Sequence, residues 1–297
     1  MNTALRTRGR VCSGLSLSCL LLACNSGIVV GVEDPGLGGT GPGAGAGAGA
    51  TDYSQRPQPE SWCWFISDND PQPGVGDTLL YEVDMTTGEF GVRSYLAPHP
   101  DGGGVTMALH GRELIWETAW SMASFNVDTG VLRDPQFGTT AITSNGEELL
   151  AFCPWSDARF GLYGGESLCV YDDLDALWSL TESRTMPAPP DTLAFALGQD
   201  VLYGASFYGG AVSAYDKTSG DLLSTIELEL EDGEGGWDDG IAVVGDRLLR
   251  VGLAEDSNIF ISVHDIATGD ATAKVSLGNS SDLGIFPGGL ICGGTFD

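Results

Sequence analysis

The sequence has few basic residues, few histidines and no hydrophobic run long enough to cross a bilayer. It holds 13 Lys and Arg against 41 Asp and Glu, giving a net charge of −28, which disfavours nucleic acid as a partner. The three histidines, His99, His110 and His264, have no zinc-binding spacing. No Gly-x-Ser-x-Gly elbow occurs, and no stretch keeps the helical period of 3.6 residues. These absences predict an acidic, all-β chain in which no catalytic constellation is visible.

The N-terminus has the order of an export signal. Arginines precede an apolar stretch, residues 11–22, which is too short to span a membrane. The stretch ends in Leu21-Leu22-Ala23-Cys24, which resembles the bacterial lipobox. The resemblance implies that residues 1–23 are removed as a signal peptide and that Cys24 carries palmitate-type acyl chains in the membrane. Asn25, rather than an aspartate, favours the outer membrane over the inner one. A secretory signal with an incidental cysteine is the alternative.

A Gly- and Ala-rich segment follows the proposed anchor. Its composition cannot bury a core, so residues 24–61 are predicted to be a disordered tether with a reach of roughly 30–35 Å. The chain after residue 23 keeps 10 Lys and Arg against 41 Asp and Glu, a net charge of −31. Such acidity favours a basic partner or cations, and solubility alone is the alternative. We expect the lipid, rather than surface charge, to hold the protein at the membrane.

A turn phrase recurs through residues 62–297. An alternating strand ends at Asp or Asn, and Gly stands four positions later, as in Tyr215-Asp216-Lys217-Thr218-Ser219-Gly220. Copies occur at residues 83–88, 125–130 and 264–269, with a degenerate copy at 171–176. The aligned positions 84, 126, 172, 216 and 265 lie 42, 46, 44 and 49 residues apart, the spacing of a four-stranded propeller blade. The Asp side chain can bond turn amides, and Gly supplies the positive φ that closes the hairpin.

These phrases resemble the propeller repeats of YncE-like and quinoprotein-like bacterial proteins. The resemblance implies a single β-propeller of four-stranded antiparallel blades over residues 62–297, with five blades predicted and six as the alternative. The signature of the WD repeat is missing. The strand that starts at Trp62 lacks an inner neighbour, so C-terminal strands are expected to complete its blade. A hairpin of residues 283–286 and 290–296 is predicted there.

The four cysteines of the predicted domain favour two disulfides, because exported domains are oxidised. Cys63 and Cys292 lie in the terminal strands that would share a blade. Cys153 and Cys169 lie in the second and third strands of another blade. The repeat therefore predicts the pairs 63–292 and 153–169, with free buried thiols as the alternative.

The long segments of the sequence are expected on one face of the ring, formed by loops between second and third strands and between blades. Irregular loops on a rigid scaffold commonly carry recognition. Acidic residues with interspersed Gly could supply oxygen ligands to Ca²⁺ at Asp232, Asp238 and Asp239, although EF-hand spacing is absent. Aromatic residues on this face could stack a ligand, with packing between blades as the alternative. The candidate ligand-binding residues are Asp68, Asp70, Trp120, Trp155, Tyr208, Asp232, Glu234, Trp237, Asp238 and Asp239.

The sequence therefore predicts an envelope lipoprotein whose propeller is a non-catalytic scaffold for a protein or cell-envelope ligand. A propeller hydrolase or lyase that uses loop carboxylates is one alternative. A structural envelope protein is the other. A fold of this class hosts many functions, so architecture alone does not choose among them.

Overall fold

The computed structural model describes residues 51–52, 57–68, 77–98, 106–117, 122–136, 141–153, 167–189, 192–206, 210–230, 237–283, 285 and 287–296. The predicted signal peptide, Cys24 and most of the predicted tether lie outside these residues. No helix in the described ranges is long and apolar enough to cross a membrane.

Strands dominate the described chain. In chain order they are β1 (Thr51–Asp52), β2 (Ser61–Asp68), β3 (Asp77–Asp84), β4 (Phe90–Pro98), β5 (Met107–His110), β6 (Glu113–Glu117), β7 (Met122–Asn126), β8 (Leu132–Gln136), β9 (Thr143–Ser144), β10 (Leu149–Phe152), β11 (Ser167–Tyr171), β12 (Arg184–Pro187), β13 (Thr192–Leu197), β14 (Val201–Ser206), β15 (Ala211–Asp216), β16 (Leu222–Glu227), β17 (Trp237–Val244), β18 (Arg247–Leu253), β19 (Asn258–Asp265), β20 (Ala271–Asn279) and β21 (Pro287–Gly294). Two short helices, α1 (Leu174–Trp178) and α2 (Ser280–Leu283), interrupt them.

The strands form five sheets that close into a ring. Blade 1 has the order β21-β2-β3-β4, with β1 added outside β4. Blades 2 to 5 are β5–β8, β9–β12, β13–β16 and β17–β20, each a four-stranded antiparallel sheet. The inner strands β21, β5, β9, β13 and β17 contact one another in that order, and β17 contacts β21 again. The protein is therefore a five-bladed β-propeller, as the sequence predicts, rather than a six-bladed one.

Blade 1 joins the two ends of the domain. Strand β21 pairs antiparallel with β2, and Cys63 lies directly opposite Cys292. The two cysteines form a disulfide with a Cα–Cα distance of 4.1 Å. A second disulfide joins Cys153, which follows β10, to Cys169 in β11, with a Cα–Cα distance of 5.0 Å. Both predicted pairings and the C-terminal closure of the first blade are confirmed.

The predicted C-terminal hairpin is wrong. Its first half is not a strand, because α2 and the chain around Ile285 occupy that stretch, and β21 alone completes the blade. The Ser281 amide donates to Asn279 Oδ1 at 3.0 Å, and the Ile285 amide donates to the Ser280 carbonyl at 3.1 Å. These local bonds turn the chain, and Ile285 packs into the core at 2 % exposure. Of the predicted strand, Leu283 therefore lies in a helix and Ile285 is a buried residue outside any strand.

The turn phrase has the predicted physical basis. Asp216 Oδ1 accepts from the amides of Thr218 and Ser219 at 2.8 and 2.7 Å, and Gly220 has φ of +77°. The same arrangement recurs at Asp84, Asn126 and Asp265. The degenerate copy differs, since α1 replaces the turn and Asp173 caps it by accepting from the Ala176 amide at 2.7 Å.

The core lies between the blades. Alternate side chains of each central strand point to opposite neighbours. In blade 5, Leu249, Val251 and Ile261 pack with blade 1, whereas Leu248 packs with blade 4. The ring is therefore held together by apolar interfaces between successive blades, and its loops are supported by rigid strand ends.

Candidate binding face

The two ends of the ring differ in how the strands are joined there. We call the loop face the end that holds the segments between second and third strands and the segments between blades. We call the turn face the opposite end, which holds the first-to-second and third-to-fourth turns. Strand directions in every blade give this division. The sequence predicts ligand binding at the loop face.

The candidate residues fall on the loop face only in part. The backbones of Asp68, at the end of β2, and of Trp237, Asp238 and Asp239, at the start of β17, lie at this face. Their side chains lie outside the description. The remaining candidates also lie outside the described residues; they are Asp70, Trp120, Trp155, Tyr208, Asp232 and Glu234. The structure therefore brings two of the acidic segments to one face, and their role in binding stays a prediction.

The acidic start of β17 contains a β-bulge. Asp238 pairs with Gly252 and Gly240 pairs with Val251, so Asp239 is the extra residue. Bulges commonly redirect a strand near functional sites. Next to the bulge, a Cβ atom on Gly240 would lie 2.6 Å from the Gly289 carbonyl carbon. Glycine at position 240 therefore allows the inner strands of blades 5 and 1 to approach closely beside the acidic pair.

One small cavity lies between the inner strands of the ring. Its volume is about 10 Å³, which is space for about one water molecule. It is lined by Thr106, Met107, Ile142, Ala194, Phe195, Gly240, Ile241, Gly289 and Leu290. A ligand larger than water does not fit this cavity. Among the described residues, no three His, Cys, Asp or Glu side chains form a metal-binding group. The calcium site at Asp232, Asp238 and Asp239 stays a prediction, because those side chains are not described.

Glu117 is a polar residue of the loop-face end that the sequence analysis missed. It ends β6 and is 3 % exposed. Burial raises the pKa of Glu117 to about 8, although hydrogen bonds from the Thr106 hydroxyl and the Ala141 amide oppose the rise. Glu117 Oε2 has no hydrogen-bond partner. Thr106 Oγ1 also accepts from the Ile142 amide at 2.9 Å, so this network joins blades 2 and 3.

Glu117 has the pKa of a general acid without access to a substrate. A carboxyl group with a pKa near neutrality is a candidate for proton transfer. Its side chain is buried, however, and the cavity lined by its partner Thr106 is of water size. We therefore assign Glu117 to the joint between blades 2 and 3. A polar residue that ends an apolar strand was the only sequence signal for it.

The described histidines serve structural contacts. His264 is buried, and its ring nitrogens lie 3.1 Å from the Gly269 carbonyl oxygen and 2.9 Å from Ser262 Oγ. His110 Nδ1 lies 3.2 Å from Ser144 Oγ on the turn face, where the same hydroxyl accepts from the Gly146 amide. Burial lowers the pKa of His110, and the charge of Asp173 opposes this effect. Both histidines therefore fix turns or join blades.

Basic side chains on the turn face are paired with acids. Arg112 binds Asp128. Lys217 Nζ lies 3.1 Å from Glu148 Oε2, and Arg247 Nη1 lies 3.1 Å from Asp265 Oδ2. The loop-face segments differ, because their described residues include no Lys or Arg. Exposed acids there include Glu255, Asp256 and Asp282. The turn face therefore carries side chains of both signs, whereas the described loop-face segments carry acids alone.

Comparison with known proteins identifies no family for this chain. No family model matches the chain, and no curated protein matches it. Solved structures that resemble it include glutaminyl cyclase of Myxococcus xanthus, at 12 % identity over 60 % of this chain and 72 % of that one, with a TM-score of 0.43. The WD40 domain of Neurospora crassa Pan2 matches at 11 % identity over 75 % of each chain, with a TM-score of 0.40. A nidogen/laminin complex matches at 9 % identity over 77 % of this chain and 98 % of that one, with a TM-score of 0.42.

Proposed function

We propose that this chain is a lipoprotein of the bacterial cell envelope, acylated at Cys24, that binds a cationic protein surface at its loop face without catalysing a reaction. The observation that carries the proposal is the set of exposed carboxylates at Glu255, Asp256 and Asp282, in described loop-face segments that contain no Lys or Arg. The two disulfides support an extracytoplasmic location, because such bonds persist in oxidising compartments.

The turn face carries cations as well as exposed acids. Its arginines and lysine are held by neighbouring carboxylates, as Arg247 is by Asp265 and Lys217 is by Glu148. The described loop-face segments carry acids without such neighbours, including Glu255 and Asp282. A surface of one sign attracts a partner of the opposite sign and speeds its association. The described loop-face segments therefore offer a basic protein carboxylates and no competing cation.

The test compares two triple variants that remove the same charge from opposite faces. Asp238→Asn, Asp239→Asn and Glu255→Gln neutralise the loop face. Glu147→Gln, Asp200→Asn and Asp270→Asn neutralise exposed positions of the turn face. A synthetic Lys-rich peptide is titrated into each protein at low ionic strength, where surface charges are least screened. We expect the loop-face variant to raise the Kd several-fold and the turn-face variant to leave it nearly unchanged.

Equal weakening in both variants would contradict the proposal, because acidity would then act as a general property of the surface. Unfolding curves of both variants serve as the control for folding. The hydrolase or lyase alternative predicts turnover of an added substrate that the loop-face variant loses, and the structural alternative predicts no binding by either protein.

A further inference from the structure

The N-terminal segment enters the propeller at the turn face of blade 1. Ser61 begins β2 there, and its carbonyl accepts from the Met85 amide in the third-to-fourth turn at 2.9 Å. Its hydroxyl also donates to the Thr295 carbonyl. Strand β2 then runs toward the loop face. The entry point of the domain is thus fixed by hydrogen bonds on the turn face.

Strand β1 places a second, earlier point of the segment on the same side. Thr51 pairs with Gly91 and Asp52 pairs with Val92 on the outer edge of blade 1. Strand β4 begins at Phe90, so these partners lie at its turn-face end. The pairing is parallel, and β4 runs from the turn face to the loop face. The chain therefore reaches Thr51 from the turn-face side of the rim.

We propose that the anchored protein holds its turn face toward the membrane and presents its loop face away from it, so that the cationic protein is bound in trans. This inference rests on the proposed function, since it needs the anchor at Cys24. The 26 residues between Cys24 and Thr51 would span roughly 25–30 Å as the flexible coil that their composition predicts. That reach is similar to the height of the ring, because the seven residues of β18 rise about 23 Å.

Energy transfer from the protein to labelled lipid tests the orientation. Asp246→Cys places a donor dye on the turn face, and Glu255→Cys places it on the loop face. Positions 246 and 255 flank the two ends of β18, are exposed, and lose the same charge. Cys63, Cys292, Cys153 and Cys169 are in disulfides and do not react. Each full-length acylated protein is reconstituted into vesicles that carry an acceptor on lipid headgroups.

We expect roughly twofold greater transfer from position 246, because about 23 Å separates the two ends of the strand. Equal transfer, or greater transfer from position 255, in protein that floats with the vesicles would overturn the orientation and leave the anchor intact. The Cys24→Ala variant is the control and should not float. If the protein with Cys24 also fails to float, the anchor itself is wrong and the orientation falls with it.

Discussion

At the scale of single residues, the stability of the contact between blades 2 and 3 depends on whether the Glu117 carboxyl group is protonated. Its pKa is about 8, well above the ordinary value of 4.5, so the folded protein holds a proton that the unfolded chain releases at lower pH. Between these two values, the unfolded state binds fewer protons and stability falls as the pH rises. Below pH 4.5 Glu117 is neutral in both the folded and the unfolded state. Above pH 8 it is charged in both states, and the loss of stability caused by burying that charge no longer grows.

Glu117→Gln should flatten this part of the pH dependence. Glutamine keeps the shape and the accepting oxygen without a charge, so the variant should become more stable than the native protein as the pH rises from 5 to 8. The difference in the free energy of unfolding between the variant and the native protein should widen by up to about 1.4 kcal/mol per pH unit. Urea unfolding at several pH values measures it. Glu147→Gln, which changes an exposed carboxylate, is the matched control. If the free energy of unfolding depended on pH in the same way in the native protein and in the Glu117→Gln variant, the raised pKa assigned to Glu117 would be contradicted.

At the scale of elements, the turn glycines both close hairpins and contact the preceding blade. Gly269 has φ of +81°, and a Cβ atom there would lie 1.9 Å from the Glu227 carbonyl oxygen at the end of β16. Gly220 meets Pro187 at the end of β12 in the same way, at 3.3 Å. Glycine at position 269 is thus required by packing between blades as well as by backbone conformation.

Gly269→Ala should therefore cost more than a turn glycine whose surroundings are open. Gly245 is the control, because it has φ of +61° and nothing within 4 Å of a Cβ atom. Gly245→Ala should cost about 1 kcal/mol for the left-handed conformation alone. Gly269→Ala should cost at least about 2 kcal/mol more, since the clash is with backbone. Equal losses in urea unfolding would show that the turn does not support the interface between blades 4 and 5.

The same turns explain which elements sequence could predict. Asp216 and Gly220 act through bonds within a few residues, so the phrase predicts each hairpin, and its spacing predicts the blades. Strand order then placed Cys63 opposite Cys292. The helix α1 was missed because the capping bond of Asp173 was hidden in a degenerate phrase. Glu117 was missed because its raised pKa results from burial between two blades, and no short sequence pattern predicts that burial.

At the scale of the whole molecule, the ring depends on one strand from each end of the domain. Strand β21 supplies the inner strand of blade 1, and its Gly293 lies against the indole of Trp62. Blades 2 to 5 are each built from contiguous sequence, whereas blade 1 forms only when distant ends meet. Forming it carries the largest loop-closure entropy in the fold, because the loop contains nearly the whole domain.

The disulfide between Cys63 and Cys292 should therefore contribute more stability than the one between Cys153 and Cys169. The two bonds close loops with sequence separations of 229 and 16 residues. In the chain-entropy model these closures are worth roughly 5 and 3 kcal/mol. Replacing Cys63 and Cys292 by Ala should lower the free energy of unfolding by the larger amount, measured in urea against the Cys153→Ala, Cys169→Ala double variant. A smaller loss for the first pair would mean that blade 1 stays closed in the unfolded ensemble or that pairing of β2 with β21 suffices alone. The larger loss would show that the cross-link between the chain ends stabilises the ring more than the cross-link within a single hairpin.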